Sequence, residues 1–243
     1  MKKAFWSALV VVLLSFLFSG CDVVQEIVGS GTIVTIEQDI TGFSQVSAGS
    51  AFRVSITQGD NESVKIRIDD NVVDYLSVVK NENTLEISLD PDYTYIDVTR
   101  QAEIMMPDLY ALSLSGASDG TVDGFDFEHE FEFDLSGASR VTGDMTLGMT
   151  TLNLSGASEI TLSEGWGGDL IIMAAGGSVV NLADLISDSG DVTMSGASSA
   201  TINVTGMLDY NLSGASQLYY YGEPTLGETA LSGGSTAEDM GIR

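Results

Sequence analysis

The residues best placed to do chemistry lie in "GASDG", 116–120. This stretch matches the Gly-x-Ser-x-Gly pattern, which presents a hydrolase nucleophile, here Ser118, on a sharp turn between a strand and a helix. The pattern also requires a later acid and a later histidine, but the one histidine, His129, follows within a few residues and no helix is predicted between them. We therefore predict no catalytic residues and no hydrolase chemistry at this position.

A second candidate is the alternating stretch "DGFDFEHEFEFD", 123–134. The alternation places His129 on one face with Phe125, Phe127, Phe131 and Phe133, and it places the acids on the other face. Clustered carboxylates can bind calcium, but carboxylates spaced along one strand lie too far apart to enclose an ion. The stretch therefore predicts an aromatic core face and a solvated acidic face, with His129 in the core or at its rim, and no metal or cofactor site.

Aromatic side chains provide the third set of candidates. Tyr219, Tyr220 and Tyr221 in "QLYYYGEP", together with Trp166 in "EGWGGD", could contact sugar rings or peptides if they are exposed. The tyrosines could equally close the last coil of a stacked fold and shield its open edge. Both interpretations stay open, and these four residues are the predicted ligand contacts.

The elements that position these residues are set by a repeat. A Ser-Gly-Ala-Ser corner or a close variant recurs with glycines at 116, 137, 156, 176, 196, 214 and 233. Alternating apolar runs precede and follow each corner, which predicts a β-solenoid of about 20-residue coils. Glycine adopts left-handed backbone angles cheaply, and small neighbours allow corners to stack. We also expect the stacked serines to hydrogen-bond to one another and to the bent backbone.

The first residues have the layout of a secretory signal, with a basic start, an apolar stretch and small residues before Cys21. The ending "FSGC" resembles a bacterial lipobox, in which Cys21 is lipidated. This predicts a signal peptide at 1–20 and a lipid anchor with a tether at 21–31. A plain secreted protein and a membrane-spanning anchor are the alternatives, although a spanning anchor needs about 20 uninterrupted apolar residues.

Residues 32–243 are predicted to form a single β-helix-like domain. Its first part, 32–107, is strand-rich but irregular, because alternating runs recur there without a fixed period. Val72, Val73 and Leu76 recur at three and four residues, which predicts one helical turn. The repeat coils occupy 108–235, and 236–243 form a tail.

Charge and cysteine content exclude several functions. The chain has 35 acids against 9 bases, for a formal net charge of −26. Such a surface repels phosphate backbones, so nucleic acid is excluded as a partner, and anionic lipid headgroups and uronic acid polymers are disfavoured. Because Cys21 is the only cysteine, the chain can form neither an internal disulfide nor a cysteine metal cage.

Several phrases together resemble a known family. They are the signal with its cysteine, the opening "TIEQDITGFSQVSAGSAFRVSITQGD", the run "NTLEISLD" and the train of "LSGAS" corners. Over residues 32–235 the chain is similar to the bacterial family of putative auto-transporter adhesins with a head GIN domain. The resemblance implies a right-handed parallel β-helix-like fold in envelope lipoproteins, and it brings no catalytic residues.

These observations favour a non-enzymatic, lipid-anchored protein of the cell envelope, with the outer membrane as the expected site. Its expected partners are the membrane, through lipidated Cys21, and a glycan or a cell-surface protein. A polysaccharide lyase or hydrolase is the first alternative, since β-helices host such enzymes, but the repeat region lacks the basic groups that they place beside acids. An accessory protein of envelope stress is the second alternative.

Overall fold

The computed structural model describes residues 25–126, 129–163 and 165–243, which are nearly all in β-strands. Burial alternates along the strands, as where Leu112 and Leu114 are buried while Ala111 and Ser113 are partly exposed. The predicted helical turn is present as a 3-10 helix, Asp70–Tyr75, with Val72 buried. Among the described residues, no helix is both long and apolar enough to span a membrane.

The strands wind around one core and form two long faces. Face A contains β3 (Gln45–Ala48), β6 (Leu76–Asn81), β7 (Thr84–Leu89), β10 (Ala111–Leu114), β12 (Phe131–Leu135), β14 (Thr150–Leu154), β16 (Trp166–Ala174), β19 (Met207–Leu212) and β21 (Thr225–Leu231). Face B contains β2 (Ile33–Gln38), β4 (Arg53–Gln58), β5 (Ser63–Asp69), β9 (Arg100–Met106), β11 (Asp119–Asp126), β13 (Arg140–Thr146), β15 (Glu159–Leu162), β18 (Ser199–Val204), β20 (Gln217–Tyr221) and β22 (Thr236–Asp239). The long β17 (Val179–Met194) contributes to both faces, and β1 (Gln25–Val28) pairs separately with β8 (Tyr93–Ile96).

Each coil runs from a face A strand through a Gly-containing corner to a face B strand. Equivalent strands pair in parallel from coil to coil, so that Asn153 lies in register with Asp134 on one side and Met173 on the other. The solenoid has about 6 turns, which are about 20 residues apart. The predicted coil length and the strand-rich N-terminal section are therefore confirmed.

The corners stack through their backbones. Gly156 has a φ of +75°, and a Cβ placed on it would overlap the carbonyl oxygen of Gly137 in the preceding coil. That same oxygen accepts a hydrogen bond of 2.7 Å from the amide of Ala157. Two features thus require glycine at this position: the left-handed backbone and the close approach of the neighbouring coil.

The last serine of each corner is bound inside its own turn. The buried Ser158 hydroxyl donates to the carbonyl of Ser155 at 2.7 Å, and the other corners repeat this bond. The predicted bonding to the bent backbone is therefore present. In the described residues these hydroxyls do not bond to the serine hydroxyl of the next coil, because the carbonyl three residues earlier lies within reach of each.

The N-terminal section closes one end of the solenoid. The first coil runs from β3 to β4 through a corner in which Ser50 and Ala51, with φ of 56° and 58°, take the left-handed conformation. β7 and β9 follow later in sequence but pair on the outer side of β3 and β4. β6 then pairs antiparallel with β7, and β5 pairs antiparallel with β9. β2 pairs antiparallel with the other side of β5. This arrangement covers edges that would otherwise offer unpaired backbone groups.

Individual side chains hold this end together. The buried Asp69 carboxylate accepts hydrogen bonds from the amides of Gly31 and Thr99 at 2.6 and 2.7 Å. A cluster of three tyrosines lies nearby in the same section, with the rings of Tyr75 and Tyr93 4.7 Å apart. β1 overlaps the predicted tether at 21–31, and β22 overlaps the predicted tail at 236–243.

Candidate functional site

A groove runs across the outer side of face A. It has a volume of about 610 Å³ and is lined from six strands, β3, β10, β12, β14, β16 and β17. Because it crosses the strands, the groove follows the axis of the solenoid, and its five coil-to-coil steps of roughly 4.8 Å give it a length of about 24 Å. Three other cavities of the described residues are smaller, with volumes of about 350, 350 and 200 Å³.

Two rows of side chains line the groove. Both rows follow from the parallel register, which places equivalent positions of successive coils side by side. The first row lies two residues before each corner and consists of Ser47, Ser113, Asp134, Asn153, Met173 and Thr193. The second row opens each corner and consists of Ser115, Ser136, Ser155, Ala175 and Ser195. Five of the six coils thus offer the groove two outward side chains, and the coil of Ser47 offers one.

One coil differs from its neighbours in polarity. Where the other coils present hydroxyl, amide or carboxylate groups, this coil presents Met173 and Ala175. Met173 is 46% exposed, so its thioether side chain is available for contact within the groove. Most coils therefore offer the groove at least one hydrogen-bonding side chain, and one coil offers only apolar side chains.

Among the described residues, the groove lining has one ionisable group, the Asp134 carboxylate, and no base. Glu132 nearby accepts a hydrogen bond of 2.9 Å from the side-chain amide of Asn153. The bases that follow residue 108 are both engaged in ion pairs of 2.7 Å, Arg140 with Glu159 and Arg243 with Asp184. The potential at the groove is thus negative, which disfavours anionic ligands.

The structure does not bring the four predicted aromatic residues together at the groove. Trp166 is 51% exposed at the start of β16, in register with Ile186. Tyr219 is half-buried on face B, Tyr220 is only 7% exposed, and the ring of Tyr221 lies 5.4 Å beneath the Arg243 guanidinium. Since β22 pairs beyond β20, the tyrosines lie one coil inside the end. Their role as ligand contacts stays a prediction.

The acidic aromatic strip forms the expected core face. Phe125, Phe131 and Phe133 are buried, while Phe127 lies outside the described residues. His129 lies at the rim, where its Nε2 is 2.8 Å from the Asp108 carboxylate and its ring stacks on Tyr110 with centroids 3.9 Å apart. Burial lowers the pKa of His129, but its hydrogen bonds to Asp108 and to the Glu130 carbonyl raise it overall above 6.5. His129 therefore has a structural partner at the rim of the core.

The other groups with shifted pKa values also lie away from the groove. Burial and the nearby Asp90 raise the pKa of Tyr95 to about 12, so its hydroxyl stays protonated and donates to the Asp90 carbonyl. Burial lowers the pKa of Arg100, whose guanidinium donates to the Ser50 carbonyl at 2.8 Å. Within the described ranges, no three His, Cys, Asp or Glu side chains come together as metal ligands. The groove can thus form hydrogen bonds and apolar contacts, but it contains no paired acid and base.

The family can now be assigned. The model of the family described as "Putative auto-transporter adhesin, head GIN domain" matches residues 42–224. The chain belongs to this family. No curated protein matches the sequence.

Solved structures share the fold of this head GIN domain protein at low sequence identity. A putative adhesin from Bacteroides fragilis NCTC 9343 superposes with a TM-score of 0.76 and 20% identity, covering 89% of this chain and 100% of that one. A putative lipid binding protein from Parabacteroides distasonis ATCC 8503 gives a TM-score of 0.65 and 16% identity, covering 89% of this chain and 100% of that one. A putative adhesin from Parabacteroides merdae ATCC 43184 gives a TM-score of 0.64 and 14% identity, covering 89% of this chain and 99% of that one.

Proposed function

We propose that this protein is a non-enzymatic adhesin of the cell envelope, anchored by lipid on Cys21, which holds an extended partner in the groove on face A. The observation that carries the proposal is the groove itself, a long, shallow surface lined in register by hydrogen-bonding side chains. Stacked repeat folds generally bind along such extended surfaces. The family's description as adhesins supports the same function and an envelope location.

The composition of the groove argues against the enzymatic alternative. Glycoside hydrolases generally use two carboxyl groups about 5–9.5 Å apart on either side of the bond that they cleave. The described groove lining offers one carboxylate, Asp134, and no lysine, arginine or histidine. A second carboxylate, Glu132, faces outward on the same strand, but it is bonded to the Asn153 amide, and no basic group of the lining stands beside Asp134.

The start of the domain is consistent with a lipid anchor, although Cys21 lies outside the described residues. β1 begins at Gln25 and is held against β8, and Asn71 donates to the Val28 carbonyl at 2.8 Å. The four steps from Cys21 to Gln25 span at most about 14 Å when fully extended. A lipid on Cys21 would thus keep the N-terminal end of the solenoid near the membrane and point the groove along an axis leading away from it.

Adhesion is tested with cells that display the full chain, applied to arrays of neutral polysaccharides, acidic polysaccharides and fibrous proteins. Asn153→Trp fills the middle of the groove, and Thr161→Trp is its matched control, because it is half-buried in the same coil but on face B. We expect adhesion to at least one surface, lost in Asn153→Trp and kept in Thr161→Trp. Adhesion to none of them, or equal adhesion by both variants, would overturn the proposal.

Anchoring and catalysis are tested separately. Cys21→Ala should abolish incorporation of a labelled fatty acid and release the chain from the membrane fraction. For catalysis, any bound polysaccharide is incubated with the full chain and its reducing ends are counted. An increase over the Asp134→Asn variant would show turnover and favour the polysaccharide hydrolase or lyase.

A further inference from the structure

We infer that the ligand of the groove is a neutral linear glycan, which lies along the solenoid axis with successive sugar units on successive coils. The inference rests on the proposed adhesive function and assigns its ligand class. Three features of the groove favour such a ligand: the spacing of its coils, the pairing of its strands and its apolar coil.

The strands that line the groove are already paired on both sides. β10 lies between β3 and β12, and β14 lies between β12 and β16. A peptide that binds to a sheet as an added strand needs an open edge for its main-chain hydrogen bonds. The groove offers no such edge, so a bound peptide would contact side chains only.

The period of the groove also disfavours a peptide. Its side chains repeat at every coil, about 4.8 Å apart, whereas an extended peptide advances about 3.3 Å per residue and turns alternate side chains away. Peptide groups would fall out of register within two coils. The unit of a linear glycan is a whole ring, whose length is close to one coil spacing, so each coil can offer its outward side chains to a new ring.

The chemistry of the two rows matches sugar hydroxyls. Ser113 and Thr193 can each donate and accept, Asp134 accepts, and the oxygen of Asn153 accepts while its nitrogen is bound to Glu132. Sugar hydroxyls need both functions. The acidic surroundings and the unpaired Asp134 exclude uronic acid chains, because their carboxylates would meet like charge without a base.

The apolar coil provides a contact for the carbon-bound face of one sugar ring. Met173 is exposed within the groove, and Ala175 beside it replaces the corner serine. A methionine side chain adapts its shape to the surface that it contacts. A sugar has hydroxyls on its ring edges and an apolar ring face, so it can use both the hydrogen-bonding coils and the apolar coil of the groove.

The test measures binding by the purified full chain in detergent, using calorimetry with five probes. They are cellohexaose, laminarihexaose, maltohexaose, hexagalacturonate and an uncharged peptide of alternating Thr and Val. At least one neutral hexasaccharide should bind, and the disaccharide of the same sugar should bind more weakly. Hexagalacturonate and the peptide should not bind. Met173→Ser should weaken binding by about tenfold, equivalent to about 1.4 kcal/mol, whereas Met207→Ser, exposed outside the groove, should not.

The outcomes separate this inference from the proposed function. Binding of the peptide or of hexagalacturonate that is lost in Asn153→Trp would leave an adhesive groove but overturn the neutral glycan. Neutral glycan binding that survives Asn153→Trp would place the ligand elsewhere and overturn the inference. If adhesion on the arrays depends on the groove and yet none of the three neutral hexasaccharides binds, the inference fails while the proposed function stands.

Discussion

The N-terminal section and the repeat coils form the same kind of sheet, but different hydrogen bonds stabilise them. In the repeat coils, each corner is joined to the next by the same backbone hydrogen bond, as from Ala157 to Gly137 and from Ala197 to Gly176. In the N-terminal section, individual side chains make the decisive contacts, such as Asp69 with two amides and Arg100 with the Ser50 carbonyl. A coil that is stabilised by small residues and backbone hydrogen bonds can recur along the chain. The N-terminal section instead depends on side-chain contacts that each occur at one position.

Exposed ion pairs, by contrast, occur in both regions and do not distinguish them. In the repeats Arg140 lies in parallel register with Glu159 at 2.7 Å. In the N-terminal section Lys65 lies in antiparallel register with Glu37 at 3.4 Å. Five predictions test this contrast, from the largest expected effect to the smallest.

The largest effect is expected at a stacked glycine. Gly156→Ala places a methyl group against the Gly137 carbonyl and strains a left-handed backbone, so we expect a loss of about 2–5 kcal/mol in the free energy of unfolding. Gly124→Ala is the control, because Gly124 also has a positive φ but has open space around it, and about 1–2 kcal/mol is expected. Denaturant unfolding of the full chain measures both. Equal losses would mean that stacking does not require glycine.

The second effect concerns the N-terminal section. Asp69→Ala leaves the amides of Gly31 and Thr99 without their acceptor, which should cost about 1–3 kcal/mol, because Thr99 is half-buried while the exposed Gly31 can bind water instead. Asp74→Ala, exposed in the neighbouring 3-10 helix, should change stability by less than about 0.5 kcal/mol. Hydrogen exchange should speed up at Thr99 and stay slow at Ala157. Equal acceleration at both amides would contradict the separation of the two regions.

A smaller loss is expected at the corner serines. Ser158→Ala removes a buried hydroxyl that donates to the Ser155 carbonyl, and about 1 kcal/mol is expected. Ser155→Ala in the same corner removes an exposed hydroxyl and leaves its carbonyl intact, so stability should hardly change. Thermal unfolding of the two variants compares them directly, and a larger loss for Ser155→Ala would reverse the assignment of roles.

The ion pair on the repeat surface should contribute little. Arg140 and Glu159 are 2.7 Å apart, but the two side chains are 58% and 37% exposed. Arg140→Ala should therefore cost no more than about 0.2–1 kcal/mol, and added salt should shrink the difference from wild type. A loss as large as that of Asp69→Ala would show that charge, and not only backbone stacking, stabilises the coils.

The smallest effect concerns the boundary between the regions, where His129 meets Asp108. The pKa of His129 is raised in the folded state, so its stabilising contribution is complete below about pH 6.5 and is lost as the pH rises through the folded-state pKa. Asp108→Asn should lower that pKa, which NMR titration of the single histidine measures. An unchanged pKa in Asp108→Asn would separate the histidine from this carboxylate.

Much of the repeat region could be predicted because its rules are local. The glycine spacing gave the coil length, and the alternation around each corner gave the buried rows, such as Leu152 and Leu154. The corner serines were expected to bond along the stack as well, but the hydroxyl of Ser158 bonds within its own turn. The first corner was not predicted as part of the repeat, because Ser50 and Ala51 take the left-handed conformation there in place of glycine.

The groove could not be predicted from any one segment. The outward residues before each corner form it, whereas aromatic side chains such as Trp166 and Tyr220 were the predicted ligand contacts. Tyr220 shares the inward face of β20 with the buried Leu218 and points into the core, and Trp166 lies outside the groove lining. The family resemblance was confirmed, and it carried no residues that mark a ligand site.

The sequence alone determined the coil length and the positions of the repeat corners, because a backbone bend and a stack of small residues impose their demands within a few positions. Only the tertiary structure decided that β7 and β9 lie outside β3 and β4, and that Asp134, Asn153 and Met173 share one groove. The physical reason is that strand pairing joins residues that are distant along the chain. A local pattern limits which pairings can form, but the packing of the whole core selects among them.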